Sequence, residues 1–326
     1  MKPERRARTG CSPEKNQKRR GVGARLTHIR ISEEISGITA AAARRYSHGC
    51  IYGLVALGFV LIYKATEAVN FAQGDMMMLG AFLTLSFVNQ DSFGLPFALG
   101  VVLAIVLMGG VGYVTEVVVI RRIFGQPQFA VVILTIALGF VLRFIAGMIW
   151  GHEPQNLETP LAGESVQIGS LVLGMDELAV LVTTVVLVGA LYLFFARTRL
   201  GVAMQAASQN QLAAYYSGVS VKKVSALIWA ISGMVATVAG VLFAAKGAID
   251  PSAGLLGIKA FAAAVIGGFG SLPGALVGGL IVGLSEPLAA RYIAAGYSQI
   301  APYAIMLVVL VVRPNGLFAQ IQQKKV

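Results

Sequence analysis

Charge is what this chain has least of. Asp, Glu, Lys and Arg together make up only 13% of its residues, about half the usual share of a soluble domain. Histidine occurs three times and cysteine twice. Cys11 and Cys50 stand in no metal or redox spacing and leave the compartment open. His28 and His48 lie in a basic N-terminal stretch, and His152 follows an apolar run. Ser271 therefore has no histidine partner suggested by position, and neither a His-Glu-x-x-His sequence nor a paired-Asp motif is present. An intramembrane hydrolase is left without a catalytic set. Gly-Lys-Ser/Thr is missing as well, which excludes a phosphate-binding loop.

Apolar surface fills the space that charge leaves. Hydrophobic residues make up 56% of 326, and the mean hydropathy is +0.75. No soluble core needs that much, so the chain reads as an all-α polytopic membrane protein. The 38 glycines suit helices that approach closely in lipid. Of the net charge of +11, residues 1–48 supply +8, from 12 Lys/Arg against 4 Glu. That arm has no interleaved aromatic residues and is a poor case for nucleic-acid binding. It lacks the apolar core of a signal peptide and reads as disordered.

Apolar runs follow in order. The first, Cys50 to Tyr63, is 14 residues long and falls short of the roughly 20 needed to span a bilayer. Longer runs cover Val69–Val88, Leu95–Ile120, Phe129–Trp150, Leu178–Ala196 and Val224–Ala245. The sequence GGFGSLPG then splits Gly257–Gly268 from Ala275–Ala290, and Ile300–Val312 closes the series. No repeat at solenoid or propeller periods appears. The expected organisation is an arm over 1–48, one membrane domain over 49–318 with about eight or nine transmembrane helices, and a short basic tail over 319–326.

Basic residues mark the cytoplasmic side. Arg197, Arg199, Lys222 and Lys223 bracket one polar interval, 197–223, and Arg121 and Arg122 end the third run. Both fall inside, which places the loop 151–177, with five acids and no Lys or Arg, outside. Parity then sends residue 48 outside, against the charge of the arm. The conflict disappears if the arm is foreign to the protein or if the first short run does not cross.

The interval RTRLGVAMQAASQNQLAAYYSGVSVKKVSALIWAISG, Arg197 to Gly233, contains an Ala/Gln/Met-rich stretch from Val202 to Tyr216 without Gly or Pro. That composition predicts one helix with Gly201 and Gly218 at its ends; a plain connecting loop is the competing reading. The interval resembles the ATPase-coupling loop of branched-chain amino acid ABC importer permeases, the LivH-like half. Gly201, Ala206, Ala207, Ala213, Ala214, Gly218 and Val219 carry the likeness. Gln205 stands where that family often has Arg, and Gln209 and Asn210 where it often has acids, so docking would rest on shape and hydrogen bonds.

A second resemblance lies in GLVALGFVLIYKATEAVNFAQGDMMMLGAF, Gly53 to Phe82. Here Gln73 and Asp75 replace the family's usual His and Glu. Asn70, Gln73 and Asp75 are candidates for a translocation path or gate, since polar groups at the head of an apolar helix must face protein or water. Helix capping by Asn70 or Asp75 is the structural alternative. The adjacent Met76, Met77 and Met78 suit packing better than a metal site, because neighbours cannot share one helix face.

AAAVIGGFGSLPGALVGG is the third family-like segment. Gly274 and Gly278, and again Gly279 and Gly283, are spaced to let another helix approach closely, with Leu280 expected on the lipid side. Arg143 lies within a span; it either snorkels or pairs with Glu116. Glu286, before Pro287 near the outer end of its span, is expected to be an interface residue rather than part of a relay.

The resemblance, which covers about Cys50 to Phe318, implies a permease with the ABC importer fold. Its partners would be a second permease (LivM-like, or a second copy), two cytoplasmic ATPases that hold ATP and Mg, and an extracytoplasmic amino-acid-binding protein. It implies no cofactor on this chain, no covalent chemistry, and a multi-pass position in the inner membrane of a prokaryote. The competing class, an ion-coupled secondary amino acid transporter, calls for intramembrane acids and discontinuous helices. The 1–48 arm is expected to be dispensable, so that a chain restarting near Ser47 with an added apolar lead still assembles.

Overall fold

A computed structural model describes residues 46–318, apart from 91, 124–125, 161–162, 169–170 and 294. Most of the 1–48 arm, and the tail from 319, lie outside the described residues. Helix α1 (Tyr46–Thr66) is followed by α2 (Gln73–Val88), α3 (Phe97–Val118) and α4 (Gln128–Trp150). A two-stranded antiparallel hairpin, β1 (Ser165–Ile168) and β2 (Leu171–Gly174), leads into α5 (Met175–Arg197). Next come the short helices α6 (Arg199–Gln209) and α7 (Gln211–Tyr216), then α8 (Val221–Ala244). The chain ends in α9 (Leu256–Gly267), α10 (Leu272–Tyr292) and α11 (Ala301–Val312). Among the described residues six helices are long and apolar enough to cross a membrane, and α2, 251–267 and α11 are shorter apolar helices. The chain is a multi-pass helical membrane protein.

Helix α1 corrects the expectation of a short first run. It has 21 residues, and 83% of its most apolar stretch is buried, against 11% for α5. The least promising run is thus the centre of the bundle. Its polar ends were the misleading feature, and both find partners. Ser47 bonds the Lys246 ammonium, and the Thr66 hydroxyl donates to the Ile62 carbonyl at 2.9 Å. Because α1 is long enough to cross, the parity conflict is not relieved by discounting it. Its start sits beside Lys246, at the end of the bundle opposite Arg121.

Around α1 pack α2, α8, α9 and α10, while α3, α4 and α5 turn broad apolar faces outward. Phe140, Phe144, Met148, Val185 and Val186 are all more than 60% exposed, which a membrane protein tolerates because lipid is as apolar as these side chains. Trp229 of α8 and Phe59 of α1 are fully buried at the centre.

Glycine determines how closely α10 meets its neighbours. Gly274 lies against the Gly267 carbonyl and Gly278 against the Ala263 carbonyl, both on α9. Gly279 and Gly283 lie against the backbones of Gly53 and Gly49 on α1. A Cβ at any of the four would sit nearer than 3.0 Å to backbone atoms. Leu280 is not lipid-facing: its Cα borders Gly49, because α10 is wedged between two helices.

Arg121 and Glu116 tie α3 to the start of α8. The guanidinium Nη2 of Arg121 donates to Glu116 Oε2 at 2.7 Å and to the Lys222 carbonyl at 3.2 Å. Glu116 is fully buried. Arg121→Met should therefore leave an unpaired buried carboxylate and cost about 3–5 kcal/mol. A clear fall in detergent melting temperature is the expected result; Arg122→Met serves as the exposed control.

Candidate functional site

The candidate residues gather in two places, one at the basic end of the bundle and one near its middle. At the basic end the predicted single helix is two. Asn210 adopts extended backbone between α6 and α7, and its Oδ1 accepts from the Ala213 amide at 2.9 Å. This is the side-chain competition that makes Asn a cap rather than an interior residue. At the other end Thr198 Oγ1 caps α6 by accepting from the Gly201 amide at 2.9 Å. Gly201 is therefore inside α6, pressed against the Phe194 carbonyl and the Phe195 backbone. Gly218, with φ +85°, ends α7 in the left-handed conformation that glycine adopts without strain.

This geometry sorts the expected coupling residues. Gly201, Ala207 and Ala214 are buried against the bundle, as is Met204. Gln205, Ala206, Asn210, Ala213 and Gly218 are exposed, and Val219 is half-buried. Within the same stretch, Leu212, Tyr215 and Tyr216, which the sequence did not single out, are 70%, 66% and 84% exposed on α7. Large apolar side chains on the polar rim of a membrane protein were the available signal.

Beside α6 opens a cleft of about 1060 Å³, between α1, α5, α6, α9 and the segment at Pro314 and Asn315. Lys64, Glu67, Gln205 and Gln209 line its rim, and Leu57 and Phe261 its depth. Asn70, Gln73 and Asp75 do not line it.

Those three sit where the chain re-enters the bundle. Asn70 Oδ1 accepts from the Ala72 amide at 3.1 Å, and its Nδ2 donates to Gln73 Oε1 at 3.3 Å. Gln73 in turn accepts from Ser232 Oγ at 3.0 Å and donates to the Ser232 carbonyl at 3.3 Å. Asn70, Gln73 and Ser232 are completely buried. The N-cap of α2 is Ala72, with no side-chain cap, so neither Asn70 nor Asp75 caps this helix as the alternative reading had it. Met76, Met77 and Met78 are fully buried in packing.

Asp75 instead meets Arg143. Nε and Nη2 of Arg143 both donate to Asp75 Oδ1, at 3.1 and 2.8 Å. The expected partner Glu116 is bound to Arg121, and Arg143 does not snorkel. Sequence spacing could not reveal the contact, because Asp75 and Arg143 are separated by 68 positions. The carboxylate lies between Gly139 and Gly254, whose missing side chains make room for it. There too the starts of α2 and α9 abut, Gly74 against Gly257. A second pair joins Lys259 and Glu286 at 2.8 Å, and Tyr52 donates to Glu286 Oε2 at 2.9 Å. Glu286 is thus held by partners on α1 and α9. Tyr52→Phe would keep the ring packing and leave Lys259 to hold the carboxylate; a modest melting-temperature loss, from about 1.5–3 kcal/mol for a bond to a charged acceptor, is expected.

A multi-pass helical bundle with short re-entering helices, internal ion pairs and a cleft open at one end is the architecture of a membrane permease. The family described as branched-chain amino acid transport system / permease component matches residues 44–310. The chain belongs to that family. It is 31% identical over 291 residues to the high-affinity branched-chain amino acid transport system permease protein LivH of Escherichia coli K12, covering 85% of this chain and 94% of that one. The high-affinity branched-chain amino acid transport system permease protein BraD of Pseudomonas aeruginosa is 29% identical over 290 residues, with the same coverage. The ribose import permease protein RbsC of E. coli K12 is 26% identical over 274 residues, 80% of this chain and 82% of that one. No solved structure matches the chain.

Proposed function

We propose that this chain is the transmembrane permease subunit of an ATP-binding cassette importer for branched-chain or related amino acids. It forms one half of the translocation path, with a LivM-like permease or a second copy as the other half. Two cytoplasmic ATPases hold ATP and Mg, an extracytoplasmic amino-acid-binding protein delivers the substrate, and the assembly sits in the inner membrane of a prokaryote. The observation that carries this reading is the α6–α7 pair. It is rooted in the bundle by Met204, Ala207 and Ala214, yet it turns Leu212, Tyr215 and Tyr216 outward on the basic, cytoplasmic rim. An element anchored on one face and apolar on the other is built to pass a partner's movement into the spans. The residues at Asn70, Gln73 and Asp75 mark the re-entrant part of the path, and the cleft beside α6 is its cytoplasmic mouth.

A second reading, an ion-coupled secondary transporter, draws support from the intramembrane Asp75–Arg143 and Lys259–Glu286 pairs and from the abutting starts of α2 and α9. One experiment decides between them. The purified permease pair is placed in proteoliposomes with and without the ATPases and binding protein, and leucine uptake is measured. Uptake that needs both ATP and the ATPases supports the importer; uptake by the permeases alone, driven by an ion gradient, replaces it with the second reading.

A further inference from the structure

Arg143 is in an unusual position for a charge. It lies in the outer half of α4, seven residues before Trp150, about 10 Å by helix rise. The positions before and after it on the outward face, Phe140 and Phe144, are 61% and 68% exposed and apolar. Its own side chain is 24% exposed, while that of Asp75 is 5% exposed. A guanidinium open to hydrocarbon is costly, so the exposed quarter of this side chain calls for a polar neighbour, which a substrate or a second permease can supply. Asp75 closes the inner side of the guanidinium and is itself closed in by Gly139 and Gly254. The pair therefore links three elements: α2, α4 and the turn at Pro251–Leu255 that begins α9.

We propose that this pair is the point at which the membrane domain handles the charges of its substrate, an inference that rests on the amino acid importer reading. An α-amino acid carries both a carboxylate and an ammonium group. When such a zwitterion inserts, its carboxylate takes Arg143 and its ammonium takes Asp75, so one ion pair is exchanged for two and no buried charge is left bare. A deaminated acid would leave Asp75 unpaired, and an amino acid amide would leave Arg143 unpaired. Either is disfavoured by on the order of a hundredfold or more, the consequence of stranding a buried charge. Asp75 and Arg143 are on this view substrate-positioning residues, and the opened pair frees α2 and α9 to separate at Gly74 and Gly257.

The test uses the assembled importer in proteoliposomes, with ATP-driven leucine uptake and the melting temperature as separate readouts. Asp75→Asn and Arg143→Gln should each lower both. The double variant D75N/R143Q buries no charge, so its melting temperature should return towards the parent value while uptake stays at least tenfold down. Uptake by the double variant within twofold of the parent would show a structural tie and overturn the proposal. Arg143→Lys is an independent check: it keeps the charge but loses the two-pronged contact, and uptake should fall at least fivefold at an unchanged melting temperature. Unchanged uptake in that variant also overturns the proposal. If the parent complex itself imports no amino acid, it is the importer reading that fails.

Discussion

Replacing Gly279 or Gly283 with leucine is expected to abolish the folded permease. The two residues sit where α10 crosses α1, and the nearest atoms to an added Cβ are backbone atoms of Gly53 and Gly49. Side chains can swing aside when a core is overpacked, at a cost of about 1–3 kcal/mol. Backbone cannot, so α10 would have to move bodily from the central helix, and the loss should exceed that range. Gly278→Leu should behave similarly through the Ala263 carbonyl of α9. In lipid no water exclusion restores such a contact, since association rests on shape and van der Waals fit. Leu288→Ala, at a position 43% exposed, is the appropriate control. The measurements are monodispersity and melting temperature in detergent. Monodisperse Gly279→Leu protein with the parent's melting temperature would leave the close crossing without energetic weight.

If the α6–α7 pair docks an ATPase as proposed, the double replacement of Leu212 and Tyr216 by serine should uncouple transport from ATP while leaving the permease folded. Both side chains are largely exposed and contribute little to the bundle. If they enter a pocket on an ATPase, each contributes about 1.5–3 kcal/mol of burial. Losing both weakens the contact by two or more orders of magnitude. Co-purification of the ATPases should fall away, and ATP-driven uptake with it, at an unchanged melting temperature. Ala207 is not the residue to enlarge for this purpose. It is buried against the bundle, so a bulky side chain there would dislodge α6 and confuse folding with docking. Parent-level uptake by the double variant would place the coupling surface elsewhere.

Composition alone determined that this is a helical membrane protein, because a chain so poor in charge and so rich in apolar residues has no soluble fold available to it. The motifs around Gly201–Val219, Asn70–Asp75 and Gly274–Gly283 were enough to point to the family. The glycine stripes were legible because residues four apart on a helix share a face in every environment. Tertiary structure decided what depended on partners distant in sequence. The length of α1 was hidden because hydropathy reads Ser47, His48 and Lys64 as ends, whereas burial within a bundle lets polar groups continue a helix once they find partners such as Lys246. The break at Asn210 was hidden because helix propensity averages over a window and one capping bond overrides it. Arg143 had two plausible fates by sequence and took neither. Its real partner, Asp75, is brought to it by the re-entrant turn before α2, and a buried charge goes to the nearest opposite charge in space, which no spacing rule along the chain can supply.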